Sequence, residues 1–141
     1  MSGDVASATL SYIIRDHDRE KFEARKAKIS EIHEKLNSRF DQTRVKVDMY
    51  DQYYNMRQQI EPVPHVVDIV LEAMKECAIP AKVRAIRGGT DGAQLSFMGL
   101  PCPNIFAGGL NFHGPHEFLP IPSMQKASEL VVKIVELTAK R

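Results

Sequence analysis

All eight prolines of this chain, and all but one of its eight glycines, come after Glu61. Proline has no backbone N–H and disfavours helix in the residue before it, so no helix or strand runs through Glu61-Pro62-Val63-Pro64. The 141 residues are therefore read as two stretches, 1–61 and 62–141. The first is rich in charge and holds a single glycine and no proline, and it calls for long regular elements. The second is more apolar and punctuated, and it calls for short elements joined by tight turns. A chain of this length forms one compact domain or two small lobes.

In the first stretch Ala8, Leu10, Tyr12 and Ile14 alternate with Thr9, Ser11, Ile13 and Arg15. A period of two predicts a strand. Asp18 is placed to cap a helix on which Phe22, Ile29, Ile32 and Leu36 recur at helical spacing. Val45, Val47 and Met49 alternate again and predict a second strand through about Tyr53. The second stretch reads helix, strand, helix, strand, helix. Its helices are expected over 64–77, from the Gly-rich turn at 88–92 to near Gly99, and after a cap at Ser123. Its strands are expected at 82–86 and 104–107. Strands interleaved with helices define an α/β layer architecture.

Charge and composition exclude several classes. The net charge is +1, so no basic excess marks a nucleic-acid surface. No apolar run approaches the ~20 residues that span a bilayer. The N-terminus lacks a basic segment followed by an apolar one, so no secretory signal is read. Cys77 and Cys102 are then expected as reduced thiols in a cytoplasmic protein.

Two turns concentrate the residues that can do chemistry. Arg87-Gly88-Gly89-Thr90-Asp91-Gly92 follows an expected strand and opens a helix. It lacks the spacing of a phosphate loop. Its arginine can grip a carboxylate with paired hydrogen bonds, and a plain glycine turn with a surface arginine explains the same spacing. Gly108-Gly109-Leu110-Asn111-Phe112-His113-Gly114-Pro115-His116-Glu117 places two histidines and a glutamate within five residues. Histidine is a zinc ligand, and glutamate is a ligand or an orienting partner. Yet a catalytic zinc takes three protein ligands, and His17, His33 and His65 lie in charged or junction segments. The pattern is part of a metal site, or an exposed loop.

The run IRGGTDGAQLSFMGLPCPNIFAGG followed by NFHGPHEF resembles the C-terminal region of the peptidase T family, cytoplasmic tripeptide aminopeptidases of the two-zinc aminoacylase and carboxypeptidase clan. The segment ATLSYIIRDHDREKFEARK resembles the second half of that family's lid domain. The resemblance implies a partial two-lobe α/β structure. Residues 1–61 would be a strand–helix–strand half of a lid and dimerisation domain, and residues 62–141 the C-terminal part of the catalytic domain. It implies that His113 is a zinc ligand and that Arg87 and Arg15 hold the peptide carboxylate. Gly88, Gly89 and Gly92 would shape the substrate loop, and Asn111 would orient the site. Two zinc ions, the catalytic glutamate and most metal ligands would belong to the remainder of the enzyme, leaving this portion metal-free and inactive alone. Short peptides are the implied substrates and a homo-oligomer the implied assembly. A dipeptidase or N-acyl amino acid hydrolase of the same clan, and a non-catalytic interaction module, are the alternatives.

Overall fold

A computed structural model describes residues 2–3, 6–86 and 88–141. The chain divides into two compact units, Met1–Asn55 and Met56–Arg141. The architecture is mixed and helix-rich, with little strand.

The N-terminal unit holds β1 (Ser2–Gly3) and β2 (Ala8–Thr9), paired antiparallel with Ser2 opposite Thr9, and the helix α1 (Arg19–Asn37). Asp18 caps α1 as expected, its carboxylate accepting the Lys21 N–H at 2.9 Å. Glu20 in the first turn and Lys35 in the last complement the helix dipole. Residues 44–55 return along α1 and are fastened by side chains. Asn37 Oδ1 accepts the N–H groups of Arg44 and Val45, both at 2.9 Å, while its Nδ2 donates to the Val45 carbonyl. Asp51 accepts from Lys26 Nζ at 2.9 Å and from the Tyr54 hydroxyl at 2.6 Å. The Arg19 guanidinium stacks 3.7 Å above the Tyr54 ring, and Phe22 meets that ring edge-on.

The C-terminal unit holds α2 (Arg57–Ile60), α3 (His65–Glu76), α4 (Asp91–Phe97) and α5 (Ile121–Thr138). The apolar period along α3 and α5 brings Ile69 and Ala73 against Leu130 and Leu137, flanked by Val70, Met74, Ile79, Phe106 and Ile134. Ala73 and Leu130 are fully buried. At the end of α3, Ala78 takes the left-handed position (φ 53°), and the Ile79 N–H returns to the Met74 carbonyl at 2.8 Å. Thr90 caps α4, which ends with Gly99 in the same left-handed role (φ 99°).

Several expectations need correction. Only Ala8–Thr9 of the first expected strand is a strand, and Arg15 lies in irregular backbone beyond it. Residues 45–53, 82–86 and 104–107 form no strand among the described residues. Alternation decides which side chains share a face, but a strand also needs a hydrogen-bonded neighbour. These segments have no such ladder, and apolar side chains such as Tyr12, Ile13 and Val83 stand in solvent. The expected strand–helix–strand layer is therefore an extended return segment pinned to one helix. The last helix starts at Ile121 and not after Ser123. Pro122 fits a first turn because its missing N–H has no partner to lose there, so the helix begins before the serine. The short helix α2 carries no apolar period and was not expected.

Candidate functional site

The second Gly-rich loop is a closed turn rooted on α5. Gly108 has φ 87°, and a Cβ there would lie 2.7 Å from Ser123 Cβ in the first turn of α5. Glycine is thus required both by conformation and by close approach. Leu110 and Phe118 then form an antiparallel bridge, exchanging N–H···O bonds of 2.9 and 3.2 Å. Inside it, Gly114 N–H donates to the Asn111 carbonyl at 2.9 Å, and Glu117 N–H to the Gly114 carbonyl at 3.1 Å.

Two non-glycine residues in this turn occupy the left-handed region, Asn111 (φ 55°) and His113 (φ 64°). Asparagine tolerates this conformation; for histidine it costs on the order of 1 kcal/mol. Side chains hold both in place. Glu117 Oε2 accepts the His113 N–H at 2.9 Å, and Asn111 Nδ2 donates to the His116 carbonyl at 3.3 Å. His113 is exposed at the tip of the braced turn.

An exposed imidazole on a fixed backbone suits a metal ion as one donor. Among the described residues, however, no group of three His, Cys, Asp or Glu side chains lies together. Among the described residues the loop therefore offers a metal ion one imidazole donor.

Of the remaining residues singled out in the sequence, Arg87 lies outside the described residues. Gly88 is exposed, and a Cβ there would meet nothing within 4 Å. Gly89 is exposed. Gly92 opens α4 against the chain at 102–104, where a Cβ would come within 2.6 Å of the Cys102 carbonyl oxygen. The buried Ser96 fixes that approach, donating to the Gly92 carbonyl and accepting the Cys102 N–H. Arg15 is exposed and belongs to the N-terminal unit. Cys77 and Cys102 are free thiols, the first buried.

Sequence reading missed two features. One is an open groove of about 360 Å³ between the end of α3 and the start of α5, lined by Ile79, Pro80, Phe106, Gly108, Pro122 and Lys126. The other is His33, whose Nε2 lies 3.0 Å from the Val45 carbonyl oxygen, beside Asn37. Its signal is the four-residue spacing of His33 and Asn37 on α1. The Tyr54 hydroxyl and Lys26 hold Asp51 below the usual carboxylate range, and Glu129 raises Lys126. No helix among the described residues is long and apolar enough to cross a membrane.

No family model matches the chain. Individual proteins do. Peptidase T of Parabacteroides distasonis is 55% identical over 141 residues, covering all of this chain and 34% of that relative. Peptidase T of Enterococcus faecalis is 53% identical over 139 residues, 99% of this chain and 34% of the relative. Peptidase T of Bacillus licheniformis is 52% identical over the whole chain, again 34% of its own length. The chain spans about a third of the length of the curated relatives it matches. Identity above half over 99–100% of this chain places it in the Peptidase T family.

Proposed function

We propose that this chain is the C-terminal portion of a zinc-dependent tripeptide aminopeptidase, which releases the N-terminal residue of a tripeptide by hydrolysis. The observation that carries the reading is the unbroken match to Peptidase T along the whole chain. The His113 turn supports it, since Glu117 holds its backbone and its imidazole is exposed. In this reading residues 1–61 belong to a lid and dimerisation domain and residues 62–141 to the catalytic domain.

Each residue then has a task. His113 would hold one of two zinc ions. Zinc in such a site lowers the pKa of a bound water and so supplies the nucleophile. Arg87 and Arg15 are each assigned a substrate-binding task, since a guanidinium grips a carboxylate with paired hydrogen bonds. Gly88 and Gly89 let the backbone approach the substrate, and Asn111 keeps the His113 turn closed. The catalytic base and the other ligands belong to the remainder of the enzyme, so the chain alone is inactive. The same reading places the enzyme in the cytoplasm as a homo-oligomer.

The test joins this chain to the remainder of its Peptidase T polypeptide and supplies tripeptides, dipeptides and N-acyl amino acids. Release of the N-terminal residue from tripeptides in preference to the others is expected. Preference for dipeptides or N-acyl amino acids would move the protein to a sister activity of the same clan. No hydrolysis with zinc present would leave a non-catalytic module.

A further inference from the structure

We propose that Glu117 is a positioning residue for His113, acting through the backbone and not as a metal ligand. The proposal rests on the reading of His113 as a zinc ligand and adds what holds that ligand in place.

The argument begins with the cost of the turn. His113 sits at φ 64°, a conformation uncommon for a residue with a Cβ. The Gly114 N–H···Asn111 carbonyl bond closes the turn but leaves the peptide plane between Phe112 and His113 unheld. Glu117 supplies that restraint, its Oε2 accepting the His113 N–H at 2.9 Å. A carboxylate is a stronger acceptor than a neutral oxygen. Glu117 is itself anchored at the root of the loop. Its own N–H donates to the Gly114 carbonyl, and the next residue, Phe118, is bridged to Leu110 in both directions. A rigid root therefore reaches across the turn to its tip. With the plane and φ both set, the direction of the His113 Cα–Cβ bond is set, and the imidazole is presented outward. Phe112 braces the other side, its ring packed where a Cβ on Gly109 would come within 2.7 Å.

A ligand role and a positioning role predict different responses to Glu117→Gln. Glutamine keeps an acceptor oxygen for the His113 N–H but is a poor zinc ligand. The first measurement is hydrogen exchange of the His113 amide in the 141-residue chain labelled with 15N-histidine, which places only five histidine amides in the spectrum. Glu117→Ala is expected to speed that exchange about tenfold or more, with the α3 and α5 amides unchanged, and Glu117→Gln to keep most of the protection. The second measurement is zinc affinity by chelator competition in the complete Peptidase T polypeptide. There Glu117→Ala is expected to weaken one site by about 10–100-fold, with kcat falling more than KM rises, and Glu117→Gln to restore most of both.

Unchanged exchange in Glu117→Ala overturns the proposal. So does a Glu117→Gln variant that binds zinc as poorly as Glu117→Ala, which would make the carboxylate a ligand. A His113→Ala variant separates the two readings. If it keeps both zinc ions, the assignment of His113 as a ligand fails, and the exchange data alone decide whether Glu117 holds the turn.

Discussion

Ala78 and Gly99 occupy the same left-handed position at the ends of α3 and α4, yet only one of them is glycine. A Cβ in that region costs about 1 kcal/mol or more, and glycine recovers part of it after its greater freedom in the unfolded chain is counted. Ala78→Gly is expected to stabilise the protein by about 0.5 kcal/mol, read as a higher urea midpoint with unchanged slope. Gly108→Ala should act in the opposite sense. It meets both a positive φ and the first turn of α5, and a loss of about 2 kcal/mol is expected in the same measurement. These positions differ in how openly the sequence declares them. Asp18 announces its cap by residue type and by the apolar period that follows. Ser123 carries the same signal, and Pro122 overrides it by letting the helix start earlier. The left-handed conformation of Ala78 has no residue-type signal, and that of His113 only a weak one. The Glu117 link, which depends on the second of them, was therefore not legible beyond the general notion that a glutamate near a histidine can orient it.

Among the elements, the helices were legible and the sheet was not. The four long or capped helices follow from apolar periods and from cap or breaker residues, and their energetics are local to the pairs they form. Leu130, fully buried between α5 and α3, illustrates this. Leu130→Ala should cost about 2–5 kcal/mol, seen as a lower thermal midpoint. The segments at 45–53 and 82–86 keep the alternation of strands, and 104–107 keeps a short apolar run, without a ladder neighbour, because pairing is a property of two segments and the pattern belongs to one. In the N-terminal unit, side chains take over the fastening, and this makes it sensitive to acid. The Tyr54 hydroxyl, then Lys26, hold the Asp51 carboxyl below its ordinary value of 3.8. The folded form therefore favours the charged carboxylate. Its contribution is complete well above pH 3.8 and fades as the pH falls through the lower folded value. An acid titration followed at the Tyr54 ring should show the 51–54 segment leaving α1 in that range. Asp51→Asn should release the segment at neutral pH as well.

For the whole molecule, the proposed reading gives a reason why no group of three metal-ligating side chains lies together among the described residues. The exposed Val131, Val132 and Val135 of α5, and the unladdered apolar segments, are surfaces suited to burial against further structure. The match to about a third of each Peptidase T relative accounts for both features in the proposed reading. The most direct measurement is tripeptide hydrolysis and zinc content of the complete Peptidase T polypeptide carrying His113→Ala. Losing a supporting hydrogen bond to a ligand costs up to about 100-fold, so losing the ligand itself should lower kcat by at least that much and remove one zinc per chain. Wild-type turnover with both zinc ions retained would contradict the account.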